Sequence, residues 1–247
     1  MNTQDISLGR CFSEGWEAFK NNMGMAIGAT LLFGVIHIVL CYIPFLNFLY
    51  MILAMYPFIG GFYVLLLGIV KGLNPEIGTL FSGFGGGQWA RWMGVGWLMV
   101  LYILVVEIVC AVIPGLLVLI AYYAFGEGSA AFITVAVIAG LAFYIAMIAI
   151  TMRWAFVFLL AAEGMTATQA IRTSAEWTQG IRWKLFWILF VIALLGYAGA
   201  IACGIGLAFT GPLAACCMAA LYLDVKQMRT PQPPAPAPPT PEPPPVQ

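Results

Sequence analysis

Residues 93–125, a run of 33, contain one charged side chain, Glu107. As a single helix the run would be about 50 Å long at ~1.5 Å per residue, well beyond the ~30 Å of hydrocarbon that ~20 apolar residues cross. Apolar stretches of crossing length also occupy residues 23–43, 48–70, 131–152 and 184–203. The chain therefore reads as an all-α, polytopic membrane protein. Its composition agrees, with 8% of residues charged and 63% hydrophobic, whereas soluble domains are about 25% charged. Pro114 and Gly115 lie where the longest run must stop spanning, so a helix over 93–113 followed by a break is expected there. Residues 204–212 read as a loose turn before a sixth span. That span is placed over 207–225, because 213–223 alone is too short to cross.

The polar segments between these spans have the pattern of helices lying at a membrane surface. In residues 1–22, Leu8, Cys11, Phe12, Trp16 and Phe19 recur at steps of three and four, the spacing of one helix face. With Trp16 and Lys20 near its end, this amphipathic helix is expected in the headgroup layer. It lacks the basic start, short apolar core and small-residue cleavage site of a signal peptide. Residues 72–92 read as a re-entrant or surface segment. Pro75 opens a short helix there, Gly85, Gly86 and Gly87 form a joint, and Trp89, Arg91 and Trp92 form an interfacial belt,. A Gly-rich loop ahead of a helix can cradle phosphate, but no Lys-Ser/Thr follows this one and no strand precedes it, so no cofactor is expected.

Residues 163–182 form the third such segment. Thr166 and Gln169 have the spacing of a capping box, so a helix is expected to start near Ala167, with Ala170, Ile171, Ser174, Trp177 and Ile181 on one face and Gly180 at its end,. Arg153, Trp154, Arg172, Arg182, Trp183 and Lys184 anchor the same interface. Small residues at four-residue spacing, Gly24 with Gly28, Ala136 with Gly140, and Gly196, Ala200 and Gly204, are candidates for close helix approach,.

Drawn with six spans, the chain places all ten basic residues on one side and none in the three opposite loops. The positive-inside rule then puts both termini in the cytoplasm. Residues 226–247 are expected to be a disordered cytoplasmic tail, since ten prolines among residues 231–247 favour a semi-rigid polyproline spacer over a packed core. The same drawing shows three units, each a surface segment followed by a hairpin. SEGWEAFK from Ser13 and SAEWTQGIRWK from Ser174 share a serine and a tryptophan three residues later,. Formal net charge is zero, so no global field recruits nucleic acid. The six cysteines lack metal-ligand spacing and read as small buried hydrophobes,.

Two ionisable residues lie deep in the expected spans. His37 and Glu107 are each about 21 Å from the inner face at ~1.5 Å per residue, in spans running the same way, and form a candidate intramembrane polar pair. Such a pair either joins two helices or marks a proton or solute path. No Ser/His/Asp or Cys/His set surrounds the single histidine, so an enzyme is not expected,.

Residues 153–180, RWAFVFLLAAEGMTATQAIRTSAEWTQG, combine a basic residue, an apolar stretch, an acid, A-x-x-x-S and a glycine. This pattern resembles a broad bacterial family of membrane proteins, the YciC-like and DUF975-type proteins and the membrane domain attached to some glycerophosphoryl diester phosphodiesterases. Pro57 with Gly61, LFSGF from Leu80, IPG from Ile113 and the Gly211-Pro212 pair fit it too. The resemblance covers most of residues 7–225 and implies a six-helix bacterial inner-membrane protein of unknown role. The phosphodiesterase catalytic barrel is absent here, so its activity does not carry over. The expected function is a non-enzymatic accessory or scaffold protein that engages membrane lipid, and other proteins through its tail. The alternative is a transporter or channel using helix breaks at Pro57, Pro114 and Pro212.

Overall fold

The computed structural model describes residues 6–201 and 206–230, so residues 231–247 of the proline-rich tail, Gly204 and Cys203 lie outside the described residues, whereas residues 226–229, expected to belong to the disordered tail, continue the last helix. Among the described residues the chain is mostly helical, with short turns between helices and no strand. The helices are α1 (Leu8–Asn21), α2 (Met23–Tyr42), α3 (Pro44–Leu53), α4 (Met55–Val70), α5 (Gln88–Phe125), α6 (Ala130–Thr151), α7 (Val157–Ala162), α8 (Ala167–Trp177), α9 (Arg182–Ile201) and α10 (Leu207–Arg229). Five helical stretches are long and apolar enough to cross a membrane, and the α3–α4 pair, bent by 61°, makes a sixth when taken as one. The protein is an all-α polytopic membrane protein.

The bend between α3 and α4 follows from Pro57. In an unbroken helix the Leu53 carbonyl would accept from the amide of residue 57, which proline lacks. Ala54 leaves helical geometry at φ −125°, and the freed Leu53 carbonyl accepts from Trp89 Nε1 at 2.8 Å. Pro114 and Pro212 also remove a donor, yet α5 and α10 run through them without interruption. The break expected after Ile113 is therefore absent, and the helix of the sixth span already begins at Leu207. Where no water can replace lost backbone bonds, one missing hydrogen bond costs less than opening a whole turn. The 38 residues of α5 extend about 57 Å at ~1.5 Å per residue, packed against α6 across a turn closed by the Ser129 cap on the Phe132 amide.

Although α4 is as apolar as a lipid-facing span, it is the centre of the protein core. Phe58, Leu65, Leu66, Leu67 and Ile69 are buried, enclosed by α1, α5, α7, α10 and a 3-10 helix, Ile77–Phe84. Small residues admit these neighbours. Gly61 lies against the Leu80 carbonyl, Gly83 against that of Pro57, and Gly60 against the Trp92 ring. Residues 72–92 therefore fold back along α4. Trp92, expected in the interfacial belt, is 1% exposed, because the notch at Gly60 accepts its indole. Burying that much aromatic surface in protein is worth more than leaving it at an interface.

A similar shift affects α1. Cys11, Gly15 and Phe19, at four-residue steps, are buried. They face α10, where Gly15 meets the backbone of Cys217, Cys11 Sγ donates to the Cys217 carbonyl at 3.0 Å, and Phe19 meets Phe209 edge-on. The apolar face thus meets protein as well as the outside, with Leu8 and Trp16 left exposed. Burial pushes the Cys11 thiol up to about 12, which keeps it an uncharged packing group,. Cys11, Cys41, Cys110, Cys216 and Cys217 are all free.

Candidate functional site

Beyond α6 the chain breaks twice in a way that places one carboxylate. A 3-10 turn, Met152–Trp154, leads into the short α7. Ser174 of α8 holds this junction: its hydroxyl donates to the Arg153 carbonyl at 2.9 Å and accepts from the Phe156 amide at 3.2 Å. At the end of α7, Gly164 takes a φ of +102°, and the Met165 amide returns to the Leu160 carbonyl, which terminates the helix. The capping box of Thr166 and Gln169 then starts α8. Glu163, the C-cap of α7, immediately precedes both signals.

Its carboxylate joins three otherwise separate parts of the chain. Oε1 accepts from Lys71 Nζ at 2.7 Å; Oε2 accepts from Tyr222 Oη at 2.7 Å and from Lys226 Nζ at 2.5 Å. The side chain is 12% exposed, against 35% for each lysine. Burial by itself pushes the carboxyl pKa up, but hydrogen bonds from Lys226, Lys71 and Tyr222 outweigh it and hold the group below its ordinary value,. Tyr222 is stacked on Trp177, so Trp177, expected at the interface, is half-buried in the protein.

Two clefts open on either side of Glu163. One, of about 510 Å³, is lined by Val64, Gly68, Lys71, Thr79 and Lys226 as well as Glu163. The other, of about 330 Å³, is lined by Ser82, Gln88, Arg91 and Gly164 with it. Arg91 lies over the Trp92 ring at 5.6 Å, and its Nε and the Oε1 of Gln88 are buried without a hydrogen-bond partner. The acceptor positions of Glu163 are occupied by donors, so the arrangement is a clamp rather than a general base. With Lys71, Lys226 and Arg91 around one carboxylate, its rim favours anions.

The structure does not bring the candidate intramembrane pair together. His37 Nδ1 is hydrogen-bonded to Tyr50 Oη at 3.0 Å and Nε2 contacts Cys41 Sγ at 3.7 Å. Pro44 starts α3 directly after α2, which folds Tyr50 back onto His37. Glu107 is exposed on α5, and no hydrogen bond or ion pair joins it to another described residue. Among the interfacial anchors, Trp16, Lys20, Trp89, Arg153, Arg172, Arg182, Trp183 and Lys184 are exposed, while Trp154 is half-buried beside Tyr102. Arg172 pairs with Glu176 at 3.1 Å. The shared Ser-x-x-Trp spacing does not carry a shared environment, for Ser13 is exposed and Ser174 buried.

Nothing in the sequence singled out the Glu163 cluster, because its partners are 92, 59 and 63 residues away. The available signal was an isolated acid at the end of an apolar stretch, with lysines closing two other spans. Among the described residues no group of His, Cys, Asp or Glu side chains is placed to hold a metal ion. No family model, curated protein or solved structure matches the chain.

Replacing Ser174 by alanine is expected to lower stability by about 1–3 kcal/mol, since a buried amide and a carbonyl lose their partner. Thermal unfolding in detergent measures it.

Proposed function

We propose that the protein is a non-enzymatic accessory or scaffold protein of the bacterial cytoplasmic membrane, YciC-like in family. Both termini face the cytoplasm, and its charged end engages lipid or partner proteins. The observation that carries this reading is the gathering of clefts and charges at one end of the bundle. Lys71, Lys226 and Arg91 surround Glu163, Arg10 lies 3.7 Å from Asp224, and Arg229 donates to the Gln179 carbonyl. The single histidine is already engaged by Tyr50 and Cys41, which supports a non-catalytic role. The transport alternative loses support at two of its three expected breaks, because α5 and α10 continue through Pro114 and Pro212.

The test is cysteine accessibility in intact bacterial cells, in a chain whose native cysteines are replaced. Lys20→Cys is expected to react with a membrane-impermeant maleimide only after permeabilisation, and Glu127→Cys, in the α5–α6 turn, from outside. The reverse pattern overturns the reading.

A further inference from the structure

Arg182, the first residue of α9, borders two hollows. One, of about 750 Å³, lies between the α5–α6 hairpin and α8; its charged groups are Arg153, Arg172, Arg182 and Glu176. Three arginines against one glutamate leave two positive charges in excess. Arg172 is paired with Glu176 at 3.1 Å, while the exposed Arg153 and Arg182 have no ion-pair partner among the described residues. The other hollow, of about 490 Å³, separates α6 from α9 and, apart from Arg182, is apolar, lined by Ile145, Ile148, Ala149, Met152, Trp183 and Phe186.

We propose that the two hollows together hold one anionic phospholipid, with its phosphate between Arg153 and Arg182 and an acyl chain in the gap between α6 and α9. This deepens the proposed function and rests on its placing of the charged end at a membrane–water boundary. A guanidinium fork binds phosphate oxygens in pairs, and basic pockets at the ends of spanning helices suit anionic headgroups. The excess positive charge disfavours a zwitterionic headgroup, whose own cation would face Arg153 and Arg182. A free phosphate would leave the apolar gap unfilled. The gap opens onto a surface already suited to acyl chains, since Tyr144, Ile145, Trp187 and Phe190 are exposed around it. Trp183, 72% exposed, and Trp154 mark the level where aromatic rings favour the headgroup region,.

Binding of a fluorescent phosphatidylglycerol to the full-length protein in neutral detergent tests the proposal, with phosphatidylglycerol, phosphatidylcholine and inorganic phosphate as competitors. Only phosphatidylglycerol is expected to compete. Arg153→Ala and Arg182→Ala should each weaken binding about fivefold, and Lys20→Ala should leave it unchanged. Ala149→Phe, which fills the gap and leaves every arginine in place, should weaken it as well. Equal competition by phosphatidylcholine, competition by inorganic phosphate, or unchanged binding in the Arg153→Ala/Arg182→Ala variant overturns the site. An Ala149→Phe chain that binds normally overturns the placement of the acyl chain. Thermal unfolding of each variant separates lost binding from lost folding. A reversed labelling pattern with lipid binding intact would remove the proposed function instead, so the two failures are distinguishable.

Discussion

Glu163→Ala is expected to lower the stability of the detergent-solubilised protein by about 2–3 kcal/mol, read as a drop in the midpoint of thermal unfolding. Losing one partner of a fully buried ion pair costs ~3–5 kcal/mol, and the exposure of Lys71 and Lys226, 35% each, lets water take up part of the difference. The substitution leaves two ammonium groups facing one cavity and the Tyr222 hydroxyl without its acceptor. Glu163→Gln retains an acceptor but not the charge and should fall between. Lys71→Ala combined with Glu163→Ala should cost less than the sum of the two, since residues in one network couple. An additive result would mean that the clamp contributes nothing as a unit. The sign of the pH effect follows from the lowered folded-state pKa. The contribution of Glu163 is complete above its unfolded value of about 4.5 and is lost as pH falls through the lower, folded one.

Gly61→Ala is expected to cost about 3 kcal/mol or more, at the upper end of overpacking substitutions. The new methyl would collide with the Leu80 carbonyl, a backbone atom that cannot rotate away. Gly83→Ala drives a methyl into the Pro57 carbonyl from the other side of the same contact and should behave alike. Gly28→Ala is the control. It has nothing within 4 Å of an added Cβ, and alanine in a helix interior should leave stability unchanged or raise it by about 0.5–1 kcal/mol. Equal losses at Gly28 and Gly61 would show that the α4 contact with residues 77–84 does not form as described.

The contrast between those glycines shows where the sequence could be read and where it could not. Gly24 and Gly28 have the four-residue spacing of a helix contact, yet nothing approaches them, whereas adjacent Gly60 and Gly61 admit Trp92 and Leu80. Spacing reports which face a residue occupies, not whether another helix arrives there. A Cβ added at Gly196 would lie 3.6 Å from Ala214 of α10, but the tighter contact lies at Gly199. Tryptophans divide in the same way. Trp16 and Trp183 are exposed, Trp92 is buried and Trp177 is covered by Tyr222, although all four lie beside charged residues in sequence. Local signals fared better. The capping box at Thr166 and the bend near Pro57 depend on atoms within a few residues, so the chain states them directly.

By itself the sequence determined that this protein is a set of long apolar helices joined by short polar segments, because crossing length, charge depletion and capping are properties of contiguous residues. The tertiary structure alone decided that α4 is enclosed by protein, that α5 continues through Pro114, and that Glu163 is the point where α4, α7 and α10 are tied. Lipid and protein interiors are equally apolar, so hydrophobicity cannot say which of them surrounds a helix. A carboxylate partnered by residues 59 to 92 positions away leaves no mark at any local spacing.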